Sequence, residues 1–175
     1  AEDLGNVGPD YTFGFGMLNA RNAVEAIDSS YYFIDSVGNG ENKLHTISLP
    51  QSAAQLKILI HWTDKEGAIN AAQALVNDLD LTVTNPIAVL YKPLILNSTP
   101  ANVNNVPVQG ADHINNIEQV VINNPDAGTY SININGFALP YGKQTYTLTY
   151  EVVKPSIVVE YPFGGETLVP GEAEY

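Results

Sequence analysis

The chain has 175 residues, 45% of them hydrophobic, and Asp and Glu outnumber Lys and Arg by 19 to 7, for a formal net charge of -12. This acidic balance argues against nucleic acid or an anionic membrane as partner, because both attract basic surfaces. The chain contains no cysteine, which excludes disulfides, thiol catalysis and zinc–thiolate sites.

The first predicted element is a short helix over residues 19–27. Asn19 fits the N-cap position, and residues 1–18, which are rich in glycine and aromatics, predict a loop. An i, i+3, i+4, i+7 apolar stripe supports the helix: Ala20, Ala23, Val24 and Ile27. Because so short a helix is marginal alone, we expect the stripe to pack against another surface.

The segment before this helix resembles the end of a subtilisin-family (subtilase) catalytic domain. That family carries a G-P-D-x-x-x-G-x-G-x-x-N-A segment after the catalytic serine and before the last helix. The corresponding run here is Gly8-Pro9-Asp10-Tyr11-Thr12-Phe13-Gly14-Phe15-Gly16-Met17-Leu18-Asn19-Ala20. The resemblance implies that residues 1–28 are the C-terminal remnant of a catalytic domain whose nucleophile lies upstream.

The motifs of a subtilase catalytic triad do not occur in the chain. The resemblance leads us to expect G-T-S-x-A, H-G and D-[ST]-G, and none of the three is present. The parent protein is therefore expected to be a subtilisin-like serine endopeptidase, whereas this fragment is predicted to be inactive.

From residue 29 to residue 153 the pattern is one of short strands separated by Gly, Asn and Pro. Strands are predicted at 31–37, 43–49, 56–62, 75–83, 117–122, 128–135 and 145–153, with a short one at 88–91. Such spacing without a second helix is typical of an all-β antiparallel sandwich, and we predict a jelly-roll topology.

The strand at 75–83 carries two carboxylates on its polar face. Asp78 and Asp80 alternate with apolar residues, so both point to the same side of the strand. Asp and Asn are disfavoured in strands. Either these side chains meet a cation, or they lie at a strand end in solvent.

Oxygen ligands for a structural Ca²⁺ are predicted in this strand and the loops around it: Asp64, Asn77, Asp78, Asp80, Asp112, Asn116 and Glu118. Calcium takes six to eight oxygen ligands from carboxylates, amides and carbonyls. The alternative is that these residues cap turns and accept hydrogen bonds from loop amides.

Four further segments look like the β-barrel or jelly-roll domain that follows the catalytic domain in alkaline subtilases of the oxidatively stable type. They are Leu59–Asp64, Leu75–Leu81, Asp112–Val120 and Gly128–Tyr130. The resemblance implies a secreted protein in which this domain packs on the catalytic domain in cis and can hold calcium. The orphaned N-terminal segment could also pair with a second copy, giving a dimer.

A second function class stays open, namely a carbohydrate- or protein-substrate-binding module attached to a protease. Three or more coplanar exposed aromatics on one sheet face would favour that module. The final stretch, 154–175, is predicted to be a linker followed by the start of an Ig-like module, from its P-x-G-G-E run.

Overall fold

The computed structural model of the chain describes residues 2–154. Within that range one helix and ten strands follow in order: α1 (Ala20–Asp28), β1 (Tyr32–Val37), β2 (Asn42–Leu49), β3 (Gln55–His61), β4 (Asp78–Thr84), β5 (Leu90–Tyr91), β6 (Leu94–Ile95), β7 (Val108–Gln109), β8 (Ile117–Asn123), β9 (Gly128–Ala138) and β10 (Gln144–Val153). Apart from Lys154, the predicted linker and Ig-like start lie outside the described residues.

Eight of the ten strands in residues 2–154 form two four-stranded antiparallel sheets. The first sheet has the order β1-β10-β3-β8 and the second has β2-β9-β4-β5, while β6 and β7 form a separate pair. The pairs β1·β10, β2·β9, β3·β8 and β4·β5 are nested along the chain, as in a long hairpin rolled into two layers. This nesting is the double Greek-key order of a jelly roll, so the predicted all-β fold is confirmed.

The core lies between the two sheets and is built from the inward side chains of every long strand. It contains Val37, Ile47, Leu49, Ala53, Leu56, Ile58, Ile60, Trp62, Leu79, Leu81, Val83, Val120, Ile122, Tyr130, Ile132, Ile134, Leu139, Tyr146 and Leu148. Trp62 follows β3 directly, is 1% exposed, and donates from Nε1 to the backbone carbonyl of Asn77 at 2.8 Å. The end of β3 is thereby tied to the start of β4.

Strand β4 begins at Asp78, three residues after the start of the strand predicted at 75–83. The carboxylate of Asp64 accepts hydrogen bonds from the backbone N–H groups of Val76 and Asn77, at 2.6 and 2.9 Å. These two residues are therefore bonded to a loop side chain and do not extend the ladder. The two-residue strands β6 and β7 lie in the loop-rich stretch 85–116, which has too little alternation to indicate them.

Helix α1 forms where the sequence predicts it, and Asn19 caps it by accepting the N–H of Asn22 at 3.0 Å. No residue of the helix is buried, and Val24 and Ile27 remain 57% and 64% exposed. The apolar stripe is therefore not covered by the described part of the chain. Within residues 2–154, no helix combines the length and apolar character that crossing a membrane requires.

The burial pattern predicts that two leucines on strands contribute very differently to the free energy of unfolding. Leu148 of β10 is fully buried, whereas Leu44 of β2 is 68% exposed. We expect Leu148→Ala to lower the free energy of unfolding by about 2–5 kcal/mol, because a buried cavity replaces the side chain. Leu44→Ala is the matched control and should change it by less than about 0.5 kcal/mol. Urea unfolding of the two variants measures the difference, and similar losses would contradict this burial pattern.

Candidate functional site

Two carboxylates and one imidazole converge at the start of β4. Asp78 and Asp80 project from β4, and His113 comes from the loop that precedes β8. The Nδ1 atom of His113 lies 2.8 Å from Oδ2 of Asp78 and 3.7 Å from Oδ1 of Asp80. Asp78 is 7% exposed, while the side chain of His113 is 40% exposed. The group therefore has a buried side and a side open to solvent.

A third carboxylate, Glu118, reaches this region from the other sheet. It shares the inward face of β8 with Val120 and Ile122 and is 1% exposed. Its Oε2 accepts the backbone N–H of Leu81 in β4 at 2.7 Å. Strand β5 pairs with β4 only at Val83 and Thr84. The carboxylate of Glu118 thus takes over as acceptor where the neighbouring strand is missing.

Burial makes this region unfavourable for negative charge. It raises the pKa of Glu118 to about 9, against the effect of the Leu81 N–H, and the nearby charges of Asp80, Asp112 and Asp78 raise it further. Burial also raises the pKa of Asp78 to about 6, although His113 opposes the shift. The pKa of Asp80 is raised for the same reason, with His113 and Lys92 opposing. The carboxylates at this end are therefore poised to gain from a nearby positive charge.

Two local features position His113. Asp112 accepts the N–H groups of Ile114 and Asn115, at 2.9 and 3.1 Å, which closes an Asx-type turn around His113. A β-bulge in β9 inserts Phe137 between the partners of Asp78 and Leu79. The ring of Phe137 stacks on His113 with centroids 4.3 Å apart. Bulges commonly redirect a side chain beside a functional site, and here the redirected ring supports the imidazole.

The remaining predicted ligands lie around the site and hold its loops. The carboxylate of Asp64 accepts N–H groups from Lys65 and from the two residues before β4. The side-chain NH₂ of Asn77 donates to Gln144 Oε1 at 2.7 Å. The side-chain NH₂ of Asn116 donates to the carbonyl of Trp62 at 2.8 Å. No contact within residues 2–154 tests whether these residues ligate a metal, so their role as ligands stays a prediction.

Four buried side-chain oxygens in residues 2–154 have no hydrogen-bond partner. They are Oδ1 of Asn77, Oδ1 of Asp78, Oδ1 of Asp80 and Oε1 of Glu118. A buried polar atom without a partner costs about 1–3 kcal/mol, and all four belong to the ligand set that the sequence predicts. An oxygen-coordinated cation would satisfy such atoms, and those of Asp78 and Asp80 belong to the cluster with His113.

Sequence reasoning did not include His113 among the candidate ligands. It lies 33 residues after Asp80, in a loop with no periodic pattern, and only the fold brings the two together. The available signal was its neighbour Asp112, which is predicted as a ligand and whose carboxylate closes the turn that presents the imidazole.

The raised pKa of Glu118 predicts a pH dependence of stability. Its folded-state pKa of about 9 exceeds the ordinary value of 4.5, so the folded chain retains a proton that the unfolded chain has lost. The contribution of protonated Glu118 to the free energy of unfolding is fully present below about pH 4.5 and is lost as pH rises through about 9. Asp78, with a pKa of about 6, contributes in the same direction only at lower pH.

We therefore expect the metal-free chain to lose free energy of unfolding from about pH 6 to about pH 9. Glu118→Gln removes the ionisable group and should flatten this slope. Glu66→Gln, at an exposed loop position, should leave the slope intact. Urea unfolding in a chelator at several pH values measures it, and an unchanged slope in Glu118→Gln would contradict the prediction.

The chain is similar to part of a curated protein. No protein-family model matches the chain. "Serine protease/ABC transporter B family protein tagA" of Dictyostelium discoideum is 28% identical over 172 residues. The match covers 91% of this chain but only 9% of that protein. The chain is thus similar to a short part of a much longer protein whose name includes a serine protease.

Solved structures give more distant likenesses. The Bacillus licheniformis lipase BlEst2 in propeptide form has a TM-score of 0.41 and 16% identity, covering 71% of this chain and 22% of the lipase. PliG of Aeromonas hydrophila, a periplasmic inhibitor of g-type lysozyme, has a TM-score of 0.37 and 14% identity, covering 69% of this chain and 83% of PliG. Likenesses at these TM-scores support no conclusion about the function of this chain.

Proposed function

We propose that the chain is a non-catalytic accessory β-domain of a secreted subtilisin-like serine endopeptidase, and that its sandwich stabilises the catalytic domain in cis. The observation that carries this proposal is the contact between the N-terminal segment (residues 2–28) and the first sheet. That segment resembles the end of a subtilase catalytic domain, so its contacts with the sandwich represent part of the interface proposed here. The similarity to a part of a protein named for a serine protease supports the same context.

The N-terminal segment contacts the sandwich through polar bonds at both of its ends. Asn22 in α1 donates from its side chain to Glu151 Oε1 of β10 at 2.6 Å. Asn6 donates to the carbonyl of Asn104 at 3.0 Å. Gly8 has φ +88° and lies so close to the loop that an added Cβ would be 3.0 Å from Leu94 and from Pro107. The segment is therefore fitted to this surface.

An apolar groove lies between the segment and the outward face of the first sheet. Its volume is about 1170 Å³. Leu18 and Ile27 line it from the segment, and Ile34, Leu59 and Val121 line it from the sheet. Leu18 is 80% exposed and Ile34 is 67% exposed. Apolar surface of this extent next to a docked segment is typical of an interface, and we assign it to the rest of the catalytic domain.

A matched pair of variants in the complete gene product tests this interface. Ile34 of β1 and Leu44 of β2 are 67% and 68% exposed, but they lie on opposite outer faces of the sandwich. Ile34→Asp should shorten the half-life of peptidase activity during heating by roughly tenfold, because it places a charge in the proposed apolar interface. Leu44→Asp should leave it unchanged. Equal half-lives would contradict docking through the first sheet, and a gene product without peptidase activity would contradict the proposal itself.

The exposed stripe of α1 belongs to the same surface. In the complete protein we propose that the catalytic domain covers Val24 and Ile27, which are more than half exposed here. In the isolated chain a second copy can cover them, which gives the dimer predicted from the sequence.

The region around Asp78, Asp80 and Glu118, here called the acidic end of the sandwich, is proposed to hold a structural calcium ion. Asn77, Asp78, Asp80 and Glu118 each supply one buried oxygen without a hydrogen-bond partner. These residues fit calcium, which binds carboxylate and amide oxygens together. A bound ion at this place would join β4 to β8 and so stabilise the sandwich.

Calcium should raise the unfolding temperature of the chain relative to chelator. At a calcium concentration 100-fold above Kd the gain is about 2.7 kcal/mol, which corresponds to roughly 5–10 °C for a domain of this size. Asp80→Asn should remove most of the shift, and Glu66→Gln should preserve it. Identical melting of the unaltered chain in calcium and in chelator would contradict calcium binding.

The binding-module alternative gains no support from the sheet faces of residues 2–154. Tyr32 is the exposed aromatic on the outer face of the first sheet, and Phe137 is the one on the second. Tyr130 and Tyr146 point into the core. A carbohydrate platform needs several exposed rings on one face, and neither described face has three.

A further inference from the structure

His113 adds a nitrogen ligand to the oxygen ligands that the acidic end offers to a metal ion. Oxygens of Asp78 and Asp80 and a ring nitrogen of His113 all lie within 4.8 Å of one another. A first-row ion binds imidazole nitrogen and carboxylate oxygen at about 2.0–2.2 Å, which places two ligand atoms on one ion roughly 3–4 Å apart. The 3.7 Å from His113 Nδ1 to Asp80 falls in that range, and the 2.8 Å contact with Asp78 is a hydrogen bond that an ion between the two groups would replace.

Buried oxygens without partners supply an independent reason for a ligand at this place. Asp78 is 7% exposed; its Oδ2 contacts His113, and its Oδ1 has no hydrogen-bond partner in the described chain. Glu118 is 1% exposed and also has one unpartnered oxygen. Its other oxygen accepts the N–H of Leu81, the residue after Asp80, so this carboxylate reaches the same stretch of β4. A cation satisfies the oxygens and offsets the mutual repulsion at once.

The imidazole is held in place from two sides, as a metal ligand needs to be. The turn closed by Asp112 fixes the backbone on either side of His113, and the ring of Phe137 covers one face of the imidazole. The side chain is nevertheless 40% exposed, which leaves an entry path for an ion. Calcium and magnesium take oxygen ligands, whereas imidazole suits first-row ions such as Fe, Ni, Cu and Zn, with Mn²⁺ at the weak end of that series.

We infer that this site binds a divalent first-row transition ion through His113 Nδ1, Asp78 and Asp80, with Glu118 as a further carboxylate beside them. The inference rests on the cation site proposed above and specifies which class of ion it prefers. Calcium competes for the same carboxylates but gains nothing from the nitrogen.

Manganese is the probe, because bound Mn²⁺ reports a nitrogen ligand directly in pulsed EPR. The chain is first stripped of metal with a chelator and dialysed. His113→Phe is the informative variant, since it retains a ring against Phe137 and removes the nitrogen. His61→Phe is the matched control, because His61 is an exposed histidine at the end of β3, outside the cluster.

We expect the unaltered chain to bind one Mn²⁺ at least about tenfold more tightly than Ca²⁺, with imidazole-nitrogen modulation in the EPR signal. His113→Phe should lose the modulation and at least about tenfold of its Mn²⁺ affinity, while its Ca²⁺ affinity changes by less than about threefold. His61→Phe should behave like the unaltered chain. Circular dichroism checks that each variant is folded.

Mn²⁺ bound without nitrogen modulation in the unaltered chain overturns the inference, even if His113→Phe fails to fold. Unchanged Mn²⁺ affinity in a folded His113→Phe overturns it as well. In either case calcium binding by the same chain leaves the proposed calcium site standing. A chain that binds neither ion overturns both.

Discussion

The hydrogen bond from the Leu81 N–H to Glu118 Oε2 is the contact on which the acidic end of this sandwich depends. Strand β4 has a partner on one side along its length, but β5 covers only its last two residues on the other. A buried backbone N–H left without an acceptor is costly. The acceptor comes from the opposite sheet, so the two layers are joined by a polar bond where apolar packing alone would leave a gap.

Because Glu118 accepts this hydrogen bond, its carboxylate lies inside the sandwich and affects the charged groups around it. One oxygen of Glu118 is satisfied and the other is not, and Asp78 and Asp80 lie close enough to affect its ionisation. A protonated Glu118 lowers the electrostatic cost, and so does a cation; the two compete for the same carboxylate. Stability, protonation and ion binding at this end are therefore linked through one side chain.

Much of the fold follows from period-two alternation, because inward apolar and outward polar residues define each long strand. The alternation from Asp78 to Val83 also placed two of the site carboxylates correctly on β4. Glu118 was predicted as a calcium ligand because it has a carboxylate. Its position two residues before Val120 also indicated that it faces inward. His113 and Phe137 could not be found this way: one lies in an aperiodic loop, and the other is the extra residue of a bulge, which alternation does not register.

The nested strand order has a mechanical consequence. The chain enters the sandwich at β1 and leaves it at β10, and these strands are antiparallel neighbours with Tyr32 opposite Thr149. Both connections therefore emerge at the same end of the first sheet. Tension applied through them would pull β1 from β10 one hydrogen-bonded pair at a time, starting from that end, because the pairs are loaded in succession and not together. Under such a load, β1 and β10 would therefore separate first, before the strands that lie deeper in the two sheets.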